Sequence, residues 1–391
     1  MPIGAAADRI GDNSRVFAAS EPMHELPACN ASTETAGIGC GGHAPLASAT
    51  RGSAVESIHY GSVAVVDRDG SVLAAAGDPR FLTMTRSALK PFQALPFVAA
   101  GGPERFGYSK AQIALLCASH SGEPRHVEAA ADMLERAGNS AKHLQCGTHA
   151  PYFYEMRGEV PPPPPYSPLA HNCSGKHSGM LAYCAHCGLP RDSYLTIDHP
   201  LQQAIRRAVS RFTSTPEADL VGGIDGCSAP NYGVPLLRLA QAFARLAAAD
   251  TDAEFGNAPR VLADAMATHP EMVSGEHRSD LALTQAGRGD WIAKIGAEGV
   301  QGIGLRGAGV GIAIKIVDGN RRVLPPVVAA VLDQLGLLDS RRRAALGHWF
   351  EPPVRNYRGM LTGHLTATVV LDKITSIVAS AHGGGDELTR G

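Results

Sequence analysis

The run Arg86-Ser87-Ala88-Leu89-Lys90-Pro91 places a serine three residues before a lysine. At the start of a helix, that spacing sets hydroxyl and amine on one face, about one turn apart. The positive end of the helix and partial burial both disfavour an ammonium, so a lysine held there can take the serine's proton. Without such a base, serine is a poor nucleophile at neutral pH. Lysine is also scarce: it supplies seven of the 35 basic residues, and arginine the rest. A GC-rich coding sequence accounts for the skew, yet a lysine kept against it can lose its proton, which arginine cannot. The pattern occurs once, and a chain of this length yields roughly one chance match. The plain alternative is a serine N-cap followed by a surface lysine.

Three further segments are dense in reactive side chains. Cys117-Ala118-Ser119-His120-Ser121-Gly122-Glu123 is a small polar loop between two predicted helices. It is suited to a carboxylate or an oxyanion at a helix N-terminus, or is an ordinary turn with Ser121 as N-cap. His171-Asn172-Cys173-Ser174-Gly175-Lys176-His177-Ser178-Gly179 shares only Gly-Lys with a phosphate loop. The first glycine and the required spacing are missing, which excludes a nucleotide site of that type. Cys173 and Lys176, three apart, can face one point in space. Gly222-Gly223-Ile224-Asp225-Gly226-Cys227-Ser228 reads as a strand end opening into a turn. Cys173 and Cys227 could share a metal, but two cysteines are only half of a structural zinc set. Cys184-x-x-Cys187 is a competing metal or redox pair. It has no second cysteine pair nearby and falls at a helix end, so buried thiols are the reading preferred.

The elements that must position these residues follow from composition and pattern. The chain has 391 residues, 44% hydrophobic and 18% charged, enough for a sizeable core. Its formal net charge of −2 and lack of a basic run argue against nucleic acid or an anionic membrane as partner. Apolar windows such as Val327–Leu332 are too short to span a bilayer. MPIGAAADRIGDNSR lacks the apolar core of a secretory signal, giving a cytoplasmic expectation. The eight cysteines then read as thiols or ligands rather than a disulfide framework. Residues 1–52, rich in Ala, Ser, Gly and Thr, read as a disordered extension or a misplaced start. A catalytic domain, as one body or two packed lobes, is expected over 53–380, and a flexible tail over 381–391. Ser62–Ala75 alternates around Asp69-Gly70, a hairpin signal. Ser109 is a predicted N-cap, while Pro124 and Gly138 bracket a predicted helix. A helix is predicted after Lys176, running to about Cys187. Leu201, Ile205, Val209 and Phe212 share a helix face; Leu220–Ile224 reads as a short buried strand, and Pro235–Ala248 as a helix. Trp291–Val317 alternates and is punctuated by glycine, giving antiparallel strands, and Val327–Leu338 gives a closing helix. No internal repeat is present. Strands at both ends with helices between predict an α+β sandwich whose sheet is assembled from the two termini.

Taken together, RSALKPFQ (86–93), CASHSGEPRH (117–126), HNCSGKHSGML (171–181), GIDGCSAPN (223–231) and KIGAEGVQGIG (294–304) resemble the Rhizobium etli-type L-asparaginases, the asparaginase II or thermolabile class. The motifs occur in order, and the resemblance spans about residues 53–375. It implies an α+β sandwich similar to serine β-lactamases and bacterial glutaminases, a homodimer, and hydrolysis of L-asparagine to L-aspartate and ammonia. It also implies two Ser–Lys tandems. The first is Ser87 with Lys90; the second is Ser119 with Lys294, Lys315 being the fallback. Zinc bound by Cys173, Lys176 and Cys227 is implied in the same way. Arg86 and Asp225 suit the substrate's α-carboxylate and α-ammonium, and His120 and His177 join them as substrate-contact candidates. Three rivals stay open: a zinc-dependent amidohydrolase using Cys173, Cys227 and a histidine such as His177, a serine acyl hydrolase acting on β-lactams or esters, and a non-enzymatic amino-acid-binding module.

Overall fold

A computed structural model describes residues 42–373. Most of the predicted N-terminal extension and all of the predicted tail lie outside these residues. The expected boundary near residue 53 moves forward, because β1 (Ala44–Arg51) already pairs with β2 (Ala54–Asp67). The low-complexity sequence hid a strand whose small residues fit between two neighbours.

Alternation in β2 sorts its side chains between two cores. Val63 and Val65 enter one, and Ala64 and Val66 the other, as the two-residue period of a strand requires. The Asp69-Gly70 turn links β2 to β3 (Val72–Ala76), with Gly70 at φ +93°. After β4 (Leu82–Met84) the chain enters a helix-rich block and returns through β5 (Val221–Ile224) and β6 (Pro230–Pro235). These form a small sheet ordered β4-β6-β5. The alternating stretch predicted near 291–317 forms β7 (Trp291–Gly296), β8 (Val300–Leu305) and β9 (Val310–Ile316). Last come β10 (Pro353–Arg355), β11 (Leu361–Ala367) and β12 (Asp372–Lys373). The large antiparallel sheet runs β10-β11-β1-β2-β9-β8-β7, with β3 between β2 and β12. It is therefore built from both ends of the described chain, as expected.

One face of this sheet carries the helix-rich block. The helix Leu236–Ala248 lies on it so closely that a Cβ at Gly311 would sit 1.8 Å from the Ala240 carbonyl. The other face is covered by the helix Leu324–Gln334, slightly earlier than predicted. Ser109 caps its helix in a reciprocal box with Gln112, and the helix Pro124–Arg136 stops before Gly138 at φ +66°. Leu201, Ile205, Val209 and Phe212 are all buried. One expectation is corrected: β5 is not a buried strand but an exposed edge, with Ile224 77% accessible. Its apolar residues looked like core because sequence alone does not show that β6 pairs with it on one side only. No helix among the described residues is long and apolar enough to cross a membrane.

Candidate active site

Ser87 lies in a 3-10 turn, Arg86–Leu89, and the α-helix begins only at Lys90. Pro91 suits that first turn, where no N–H partner is needed. Two consequences follow. Arg86 is left-handed at φ +49°, a conformation that costs a bulky residue on the order of 1–3 kcal/mol. And the predicted Ser87–Lys90 contact is not made. The Lys90 amine instead reaches the Ala118 carbonyl at 2.5 Å, the Ser119 hydroxyl at 2.9 Å and the Asn172 carbonyl at 3.4 Å. Placing both side chains on one face requires a continuous α-helix through Ser87, which the left-handed residue and the tighter turn replace.

Lys90 is 1% exposed and Ser119 3%, while Ser87 is half-buried. Among the described residues, neither the Ser87 hydroxyl nor its N–H meets a hydrogen-bond partner. The Ser119 N–H donates to the Val273 carbonyl at 2.9 Å and the His120 N–H to Asn172 at 3.2 Å. Of these three amides, only that of Ser87 remains to receive an oxyanion. Ser119 lies just beyond the helix Lys110–Leu116, against which the helix Ser174–Cys187 packs. Gly175 allows this approach, since a Cβ there would stand 2.4 Å from the Leu115 carbonyl.

Lys294 points from β7 to the same side of the sheet as Ile292 and is fully buried. Burial pulls its pKa down to about 8, outweighing the opposing pull of Asp280, and the charge of Lys90 adds to the lowering. Its amine donates to the Ile295 carbonyl at 2.8 Å and stands 3.5 Å from Asp280. It does not bond Ser119, the partner it was assigned; Lys90 holds that place. Lys315, the fallback, donates to the Glu298 carbonyl instead. Asp280, 1% exposed, also accepts from Ile295 N–H at 2.8 Å and from Gln301 at 3.1 Å. Nothing local in the sequence marks Asp280, which sits on a different element from the lysine it faces.

Arg86 and Asp225 come together, but with each other: Arg86 Nε donates to Asp225 Oδ1 at 3.0 Å. Burial resists ionisation of Asp225, yet Lys176 and Arg86 hold its carboxyl below the usual carboxylate range. His120 departs from its expected role. Its ring is fully buried, with Nε2 2.9 Å from the Ser174 hydroxyl and Nδ1 accepting from Gly122 N–H at 3.1 Å. Burial, then the neighbouring His126, push its pKa well down. With both nitrogens spent inside the protein, it shapes the 117–123 loop rather than offering a free nitrogen to a ligand.

Cys173, Lys176, Cys227 and His177 gather beside this pair, none more than 5% exposed. Lys176 lies two residues inside the helix Ser174–Cys187, not before it as predicted, and its amine is 3.0 Å from Cys227 Sγ. Burial would lower the Lys176 pKa, but Cys227 and Cys173 together raise it. Among the described residues no three of His, Cys, Asp and Glu gather as a metal site; here the third donor is a lysine. Two sulfurs and a nitrogen are donors that zinc accepts. His177 bonds Tyr194 through Nδ1 at 2.7 Å, while its buried Nε2 has no hydrogen-bond partner. That orphaned nitrogen marks an unfinished polar cluster, and the residues fit a zinc ion. Cys184 is buried and Cys187 exposed, both as free thiols.

Wide clefts lie elsewhere. One of about 720 Å³ is lined by Arg68, Arg207, Arg211 and Arg245. Asp250, Asp252 and Glu254 already pair with three of these arginines, so the cleft offers little net charge.

The family profile described as L-asparaginase II matches residues 47–367. No curated protein matches the chain. Among solved structures, a β-lactamase from Mycobacterium bovis is 13% identical, covering 70% of this chain and 94% of that one, with a TM-score of 0.37. A protein described as Mglu in its glutamate form is 16% identical over 72% of this chain and 62% of that one, with a TM-score of 0.32.

Proposed function

The chain belongs to the L-asparaginase II family and is an amide hydrolase, and we propose that it converts L-asparagine to L-aspartate and ammonia through Ser87. The observation that carries the reading is a pair of buried amines on otherwise apolar elements, Lys90 against the Ser119 hydroxyl and Lys294 close enough to feel its charge. Burial and the charge of Lys90 disfavour the ammonium of Lys294, so that amine is available to accept a proton.

In this reading Ser87 Oγ attacks the side-chain amide carbon, and Lys294, the buried amine held below its usual pKa, receives its proton. The Ser87 N–H faces the developing oxyanion, an interaction worth roughly 3 kcal/mol. Lys294 returns the proton to the departing nitrogen, which leaves as ammonia. Water then hydrolyses the aspartyl ester with the same amine as base and acid. Arg86 and Asp225 receive the substrate's carboxylate and ammonium by exchanging their mutual ion pair for two new ones. The test is ammonia release from asparagine, glutamine and, as a control for acyl hydrolase chemistry, turnover of a chromogenic β-lactam. Asparagine is expected to be hydrolysed and the β-lactam not; a protein that releases no ammonia from either amide sinks the reading. Asparagine against glutamine is a question of one methylene, about 1–3 kcal/mol.

Cys173, Lys176 and Cys227 would hold zinc, with Lys176 neutral as ligand. A bound zinc would supply fixed positive charge that orients the substrate. Chelation is accordingly expected to raise KM for asparagine more than it lowers kcat. Complete loss of turnover at saturating substrate would contradict a positioning role.

A further inference from the structure

Asn231 has no part in the chemistry described so far, yet its side chain grips the strained residue next to Ser87 twice. Its Oδ1 accepts from Arg86 N–H at 3.0 Å, and its Nδ2 donates to the Arg86 carbonyl at 3.0 Å. The Thr85 hydroxyl lies 3.3 Å from the same Oδ1 but gives its one proton to the Tyr232 carbonyl at 2.7 Å. Asn231 is 1% exposed and sits on β6. The register that pairs Leu82 with Pro235 and Met84 with Gly233 puts Arg86 opposite Asn231. The ladder continues one step past β4, where Thr85 N–H donates to the Tyr232 carbonyl at 3.2 Å. At the next position the backbone has left the strand direction, and the side-chain amide of Asn231 stands in for the missing peptide group. An amide is the side chain that both donates and accepts at this spacing.

We propose that Asn231 is a positioning residue: its amide holds Arg86 in the left-handed conformation and so aims the Ser87 hydroxyl and N–H. The inference rests on Ser87 being the nucleophile. Without the amide, the N–H and carbonyl of Arg86 lose their partners, and its side-chain ion pair with Asp225 is left to oppose rotation of Arg86 out of its unfavourable φ. The peptide plane that turns is the one joining Arg86 to Ser87, so the nucleophile and its N–H move together. A shift of about 1 Å at a reacting atom is enough to cost on the order of 100-fold in rate.

The experiment compares wild type, N231A and N231D, each alone and combined with R86G. The readouts are kcat and KM for asparagine, and the rate at which an alkyl fluorophosphonate labels Ser87, followed by intact mass and peptide mapping. N231A is expected to lose 10- to 100-fold in kcat and in labelling rate while KM changes little. N231D, which accepts but cannot donate, is expected to fall between. Glycine adopts the left-handed conformation freely, so in the R86G background the loss caused by N231A should shrink to a few-fold. A merely structural asparagine would cost the same factor in both backgrounds, and that result, or wild-type kcat in N231A, overturns the proposal. If N231A does not fold, N231D carries the same comparison. Wild type that labels at Ser87 but releases no ammonia from asparagine overturns the substrate reading alone, and the clasp is then judged on labelling rates. Wild type that does neither overturns both.

Discussion

Ser87→Ala is expected to lower ammonia release from asparagine by roughly 1,000-fold or more while leaving the fold and melting temperature close to wild type. The hydroxyl is half-buried and makes no hydrogen bond among the described residues, so its removal orphans no buried partner. The same change at Ser119 is a different experiment. Ser119 is 3% exposed and its oxygen accepts from Lys90, so Ser119→Ala strips a partner from a buried amine. It should therefore cost stability as well as rate. If Ser119→Ala abolished turnover with its fold intact, and Ser87→Ala kept most of it, the two serines would have to exchange roles.

Lys294→Met should lower kcat by about 100- to 10,000-fold, the range general-base removal produces. Its pH signature separates it from a packing defect. With the pKa drawn down to about 8 by burial, the amine is protonated and unable to accept below that value, and neutral above it. The kcat/KM of wild type should therefore rise with pH through about 8, and Lys294→Met should lose that rise. The substitution also leaves Asp280, 1% exposed, without its cation, and breaking a buried pair costs about 3–5 kcal/mol. The double variant Lys294→Met with Asp280→Asn removes the stranded charge. It should recover much of the stability and none of the activity. Recovery of both would make Lys294 a structural residue, and a rate that falls with rising pH near 8 would exclude it as base.

Much of the frame was legible because strands and helices announce themselves through short-range periodicity. β2 and β9 alternate, the Asp69-Gly70 turn uses the residues its geometry demands, and Ser109 with Gln112 spells out a capping box. The helical block and the sheet built from both ends followed from that order. The site was legible as a set of segments but not as a set of partners. Ser87 and Lys90 are close in sequence, yet one left-handed residue at Arg86 sends the amine to Ser119. Asp280 and Asn231 carry no local mark, because each acts on a residue of another element. β5 looked like core and β1 like disorder for the same reason: the strand that pairs with each, not its own composition, decides its exposure.

The pairing of β1 with β11 has a consequence for how the molecule is made. The Thr50 hydroxyl accepts from the backbone of His364, 314 residues later, and Ala47 lies opposite Ala367. β1 thus waits for a strand far downstream before its edge is covered. Contacts this distant close slowly, so the edge of β1 stays open until a segment 314 residues downstream has been made and folds back onto it.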